Sequence, residues 1–68
     1  MASIARVTEL SARSEQSFED AIERGIQRAQ RTLRNVRSAW VKEQRVEVGD
    51  NGIAGYQVNM LVTFELEE

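Results

Sequence analysis

Residues 53–66, IAGYQVNMLVTFEL, alternate between two kinds of position along the chain. Every second residue from Tyr56 onward is apolar, and the intervening positions include the polar Gln57 and Asn59. A two-residue period places successive side chains on opposite faces of a strand. We therefore predict a long strand with one apolar face, formed by the following residues: Tyr56, Val58, Met60, Val62, Phe64 and Leu66.

The period changes to three and four residues in the segment between Ser17 and Arg34, which predicts an amphipathic helix. Ser17, followed three residues later by Asp20, resembles a capping box at the start of this helix. Gly25 lies on the apolar stripe, and a glycine there suits a helix that presses closely on a sheet. The stripe consists of Phe18, Ala21, Ile22, Ile26, Ala29 and Leu33.

Two further strands are predicted, over residues 3–10 and 36–48, and Asp50-Asn51-Gly52 predicts a tight turn after the second of them. The expected fold is α+β: a single helix on a three-stranded antiparallel sheet, in the order strand–helix–strand–strand. One domain accounts for residues 1–68. A single helix leaves one face of the sheet and its edges uncovered, and long exposed edges are normally paired. We therefore expect a closed homo-oligomer.

Composition narrows the chemistry that is available to the chain. The 68 residues include no Cys and no His, and the net charge is −2. Disulfides, thiol nucleophiles and the commonest general base are therefore missing, so an enzyme is not expected. A pair of strand carboxylates such as Glu43 and Glu47 is the remaining catalytic option, but a solvated or ion-paired face explains them better. Nothing predicts a nucleic-acid or membrane partner, and a cytoplasmic location is expected by default.

Trp40 is the only Trp, and it lies in the otherwise polar and charged stretch VRSAWVKEQ. Simple alternation puts residues 36, 38, 40, 42 and 44 on one face, so Trp40 would share its face with Lys42 and Gln44. Two interpretations remain open: packing at a subunit interface, where Trp is enriched, or a stacking platform for a planar ligand. Gln57, on the polar face of its strand, can offer both donors and an acceptor to a heteroaromatic ring.

Several segments together resemble the dodecin family: VTEL, SFEDAI, TLRNV, VKEQ and GYQVNMLVTFEL. The resemblance covers nearly the whole chain. It implies a hollow homo-dodecamer that binds flavins, riboflavin or FMN, as stacked rings between aromatic side chains at a two-fold subunit interface. The implied role is flavin storage or buffering. Some members bind coenzyme A, and some bind no flavin, so a structural or cation-binding shell with Trp40 as interface packing is the alternative.

The resemblance assigns site residues individually. The family's YQV glutamine corresponds to Gln57. Its stacking tryptophan falls on Ser38 when the segments are laid together without gaps, and Trp40 follows two positions later. Arg45 and Glu47 complete the implied flavin-binding set of Trp40, Gln57, Ser38, Arg45 and Glu47. No metal site is implied.

Overall fold

A computed structural model of the protein describes residues 2–67. Met1 and Glu68, at the ends of the predicted domain, lie outside the described residues. The elements, in chain order, are strand β1 (Ala5–Ser14), helix α1 (Phe18–Thr32), strand β2 (Val36–Gly49) and strand β3 (Gly52–Glu65).

The three strands form one antiparallel sheet in the order β1–β3–β2. The strand with the clearest alternation, β3, is therefore the central one, with a partner on each side. β2 and β3 form a hairpin that closes at the Gly49–Gly52 pair, and Gly52 takes the positive φ of 111° that glycine tolerates. The predicted fold class and strand order are confirmed.

The core lies between α1 and the apolar face of β3. Val58, Met60 and Val62 are fully buried there. The helix meets them with small residues, Ala21 and Gly25 among them, so its backbone comes close to the sheet. A Cβ at Gly25 would collide with the Met60 side chain and lie 3.2 Å from Ala12 Cβ. The close approach predicted at Gly25 is confirmed.

The first turn of α1 is tied to the end of β1. Ser17 caps the helix, its Oγ accepting from the Asp20 backbone N–H at 2.9 Å, as predicted. Ser14, which is buried, donates its hydroxyl to Asp20 Oδ2 at 2.6 Å and accepts from the Gln16 N–H. The Ser14 hydrogen bond, followed by the hydrogen bond and charge of Arg24, lowers the pKa of Asp20 below its ordinary value.

Two boundaries differ from the prediction. β1 begins at Ala5 and continues to Ser14 instead of ending at residue 10, since small residues such as Ala12 keep the alternation without an apolar signal. The helix ends at Thr32, which leaves Arg34 beyond it. Leu33 closes the helix in an extended conformation, and Asn35 then turns the chain with a φ of 61°.

β2 does not keep a regular alternation. Its pairing with β3 shifts between Val36 and Ser38 and again between Val41 and Glu43, so Arg37 and Lys42 are extra residues. Each β-bulge moves the following side chains to the other face. The prediction that residues 36, 38, 40, 42 and 44 share one face is therefore wrong at residues 36 and 44: Val36 lies opposite Phe64 and Gln44 opposite Val58, both on the helix side.

The β2–β3 hairpin extends beyond both β1 and α1. β1 pairs with β3 only as far as Tyr56, and α1 packs mainly on β1 and β3. Apolar side chains of the hairpin are left uncovered, and Val48 is 77% exposed. Val41, Val46 and Ile53, on the same side of the hairpin as Val48, are exposed as well. An isolated subunit thus leaves an apolar stripe in water.

Candidate functional site on the outer face of the sheet

The outer face is the side of the sheet turned away from α1. Its β3 residues are Gly55, Gln57, Asn59, Leu61 and Thr63, and the side chains opposite them come from β1 and β2. All five sequence-predicted site residues lie on this face. For Arg45 and Glu47 this depends on the bulge at Lys42, because strict alternation would have put them on the opposite face from Trp40.

One end of the outer face carries the candidate stacking residue. Trp40 lies opposite Leu61 and is 49% exposed. Ser38, two pairs further along, lies opposite Thr63 and is also exposed. The indole therefore presents a rigid apolar surface that its own subunit does not cover. Exposed Val7 on β1 adds apolar surface at the same end.

The other end of the outer face is polar and ordered by a side chain that sequence reasoning missed. Arg13 on β1 reaches across β3 to β2, where its Nε donates to Glu47 Oε1 at 2.8 Å. The hydrogen bond and charge of Glu47 raise the pKa of the Arg13 guanidinium further above its ordinary value. Glu47 is thus held in place by a partner two strands away.

Gly55 makes this reach possible. It lies opposite Glu47 in the central strand and is buried. A Cβ at Gly55 would lie 2.6 Å from Nη2 and 2.9 Å from Cζ of Arg13. The guanidinium therefore crosses β3 through the space that a side chain would otherwise occupy.

Gln57 belongs to a second hydrogen-bonded group on the outer face. Its Nε2 donates to Ser11 Oγ at 2.9 Å and to Asn59 Oδ1 at 3.4 Å. Asn59 in turn donates from Nδ2 to Glu43 Oε1 at 3.0 Å. Ser11 and Asn59 were not among the predicted site residues. For Asn59 the available signal was its polar character on the same strand face as Gln57, whereas Ser11 lay beyond the predicted end of the first strand.

Arg45 lies directly opposite Gln57 on β2, so the two side chains are cross-strand neighbours. It is exposed and belongs to none of the ion pairs within residues 2–67. Its guanidinium is therefore available to a ligand carbonyl or phosphate beside Gln57.

The predicted site residues form two groups rather than one. Gln57, Arg45 and Glu47 lie together at the polar end, and Trp40 and Ser38 lie together at the other. Leu61, which is opposite Trp40, is four residues from Gln57 along β3. At a strand rise of about 3.3 Å per residue, this corresponds to roughly 13 Å. One subunit therefore places its indole and its glutamine at separate points of the face.

The carboxylates of the outer face are engaged with cations or amides. Glu47 pairs with Arg13, Glu65 with Arg37, and Glu9 with Lys42. Across residues 2–67, no three His, Cys, Asp or Glu side chains come together as a group that could hold a metal ion. Within the same range, no helix has the length and apolar character needed to span a membrane.

The chain folds as a small α+β domain with one helix on three antiparallel strands. Comparison with known proteins identifies its family. The dodecin family pattern matches residues 4–67. The chain is 40% identical over 68 residues to a dodecin from Thermus thermophilus, a match that spans 100% of this chain and 99% of that protein.

Solved structures agree with the sequence match. A crystal structure of a Thermus thermophilus protein superposes with a TM-score of 0.93 at 39% identity and covers 98% of each chain. The calcium dodecin of Mycobacterium tuberculosis, described as a calcium-chelating antigen, superposes with a TM-score of 0.82 at 29% identity and covers 96% of this chain and 93% of its own. The chain belongs to the dodecin family, which confirms the resemblance drawn from its sequence.

Proposed function

We propose that this protein is a cytoplasmic, non-enzymatic flavin-binding protein that stores or buffers riboflavin or FMN inside a homo-dodecamer. Trp40 supplies the stacking surface and Gln57 a hydrogen bond to the ring edge. Ser38, Arg45 and Glu47 line the same site. The observation that carries the proposal is the half-exposed indole of Trp40 on the outer face, where its own subunit leaves it uncovered.

The spacing on the outer face favours a site shared between subunits. Trp40 and Gln57 of one chain lie roughly 13 Å apart along the sheet, so the two side chains do not meet at one point of the same subunit. A second copy related by a two-fold axis brings its own Gln57 toward the first copy's Trp40. The exposed apolar stripe of the hairpin lies on the helix side, where Val41 and Val46 are opposite Met60 and Tyr56, so a further subunit contact would be needed to cover it.

The residues present fit a flavin in kind. An isoalloxazine ring has two large faces, which an indole can stack on, and one edge rich in carbonyl and N–H groups. The polar end of the outer face offers an amide at Gln57 and a cation at Arg45 for that edge. Nucleic acid is not a comparable partner, because the net charge is −2 and both signs are interleaved.

A fluorescence titration tests the proposal. Riboflavin or FMN emission is expected to fall on binding, and the emission of the single Trp should fall with it. Trp40→Ala should weaken binding about tenfold or more, since stacking on an aromatic side chain is worth about 1–3 kcal/mol. Trp40→Phe is the matched variant, and it should lose less because it keeps an aromatic face.

The competing interpretation is a shell without flavin, structural or cation-binding, in which Trp40 packs between subunits. It predicts no quenching of either emission, and a change of particle size in Trp40→Ala on size-exclusion chromatography. A calorimetric titration with Ca²⁺ runs alongside, because the M. tuberculosis relative carries a calcium-binding site. Absence of flavin quenching in the unmodified protein would overturn the flavin proposal.

A further inference from the structure

Glu43 determines which atoms donate and which accept in the hydrogen bonds that connect it, through Asn59, to Gln57. A carboxylate accepts hydrogen bonds and, when ionised, donates none. The Asn59 amide, 3.0 Å from Glu43 Oε1, must therefore present its Nδ2 to Glu43. If the amide were turned over, two acceptor oxygens would face each other with no proton between them.

This orientation passes from Asn59 to Gln57. With Nδ2 committed to Glu43, Asn59 presents Oδ1 to its neighbour on the same strand face. Gln57 meets that oxygen with Nε2, at 3.4 Å, and uses the other Nε2 hydrogen on Ser11 Oγ at 2.9 Å. A glutamine amide has only two N–H donors. Both donors of Gln57 are thus used inside the subunit.

What remains of Gln57 for a ligand is its carbonyl oxygen. Within residues 2–67, Gln57 Oε1 accepts no hydrogen bond. Across the part of the chain that the structure describes, no side-chain nitrogen or oxygen is both buried and without a hydrogen-bond partner, so the unpartnered oxygen reaches the surface while the amide nitrogen is turned toward its partners. In this arrangement Gln57 acts as an acceptor, although an isolated glutamine can both donate and accept.

On the basis of the proposed flavin site, we infer that Glu43, acting through Asn59, makes Gln57 a selective acceptor for a ring N–H of the imide or lactam class. A flavin offers one such group, its imide N–H. Glu43 and Asn59 are positioning residues here, since Asn59 contacts Gln57 and Glu43 contacts Asn59. The ligand class is therefore planar heterocycles that present an N–H donor at the ring edge, and N-alkylated analogues are discriminated against.

Riboflavin and 3-methylriboflavin, in which the imide N–H is replaced by N–CH₃, make the test. The unmodified protein should bind the methylated compound at least about tenfold more weakly, because the acceptor is left without a proton. We call the hydrogen-bonded series Glu43–Asn59–Gln57 the relay. In Glu43→Gln, the side chain at position 43 can donate as well as accept, so the amides of Asn59 and Gln57 can both turn over. Riboflavin should still bind, and the preference should fall to about threefold or less.

Two further variants separate the relay from other causes. Glu9→Gln makes the same change of charge on the outer face, beside Lys42 and outside the relay, and should keep the full preference. Asn59→Ala interrupts the relay without changing charge and should reduce the preference as Glu43→Gln does. In NMR spectra recorded without ligand, the side-chain amide proton signals of Gln57 should also shift in Glu43→Gln and stay unchanged in Glu9→Gln.

The possible failures are distinguishable. If the unmodified protein binds neither compound, the proposed flavin function is overturned and this inference falls with it. If it binds both equally, the flavin function stands and the inference is wrong. If the preference is present but Glu43→Gln keeps it, the methyl group is excluded by shape alone, and Glu43 has no part in selectivity.

Discussion

The two faces of the sheet are built from the same three strands but held by different forces. On the helix side, Val58, Met60 and Val62 are completely buried under small helix residues. On the outer face, side chains meet through hydrogen bonds and ion pairs that cross from strand to strand, and most of them are half-exposed. Burial stabilises the subunit, whereas the outer face adds directional contacts of small individual worth. The comparison shows why side chains on the outer face can vary without weakening the buried side of the sheet.

The largest difference is expected between two valines, one on each face. Val62→Ala removes two fully buried methyl groups, and at about 0.8 kcal/mol per group plus the cavity that remains, the loss should be about 2 kcal/mol. Val7→Ala, at a half-exposed outer position, should cost less than about 0.5 kcal/mol. Urea unfolding at one fixed protein concentration measures both. Equal losses would show that the assembled particle buries both faces alike.

A smaller effect, and one that depends on pH, is expected where β1 meets the helix. Ser14→Ala removes the hydrogen bond that is the main cause of the lowered pKa of Asp20. Because that pKa is lowered in the folded state, the stabilisation is complete above the unfolded value and is lost as pH falls through the folded one. The penalty of Ser14→Ala should therefore be larger at neutral pH than at about pH 2.

Ser38→Ala is the control for this pH dependence. Ser38 is exposed and takes part in none of the side-chain hydrogen bonds within residues 2–67, so its replacement should cost the same at both pH values. The measurement is the free energy of unfolding of the unmodified protein, Ser14→Ala and the control variant, at neutral pH and at about pH 2. A Ser14→Ala penalty that is constant with pH would show that Asp20 does not contribute through its charge.

The smallest effect on stability, with a larger one on the site, is expected at Gly55. In Gly55→Ala, the new Cβ would meet the flexible end of Arg13, which can move aside into solvent. The unfolding midpoint should change little, but the 2.8 Å contact between Arg13 and Glu47 should be lost. A crystal structure of the variant shows it directly. Ala54→Gly, in the neighbouring residue, is the control, and it should leave Arg13 on Glu47.

The fold could be predicted from sequence because its two main signals are strong. The alternation from Tyr56 to Phe64 identified the buried face of β3, and the Ser17 cap with the stripe through Gly25 identified the helix. The extension of β1 to Ser14 was missed, since Ser11 and Ala12 carry little apolar signal. The periodicity of apolar residues indicates which face of a strand or helix is buried, and this signal is weak where the side chains are short or polar.

The sequence nominated five candidate site residues, but it did not show how they are arranged. Trp40 and Gln57 were placed on the outer face, yet Arg45 and Glu47 join them only because β2 contains an extra residue at Lys42. A bulge depends on pairing with a partner strand, which a single strand's sequence does not show. The hold of Arg13 on Glu47 was missed for the same reason, because it spans residues 34 positions apart.

The Lys42 bulge also bears on how the gene for such a chain can change. Side chains along a strand alternate between the two faces of the sheet, and the extra residue Lys42 shifts this alternation by one in β2. Deleting the Lys42 codon would move every later side chain of β2 to the opposite face, so that Val46 would lie on the outer face and Glu47 on the helix side. Substitutions alter the outer face one side chain at a time, whereas a change in length by one residue rewrites both faces together. The segment between Trp40 and Gly49 therefore keeps its two faces only if its length changes by an even number of residues.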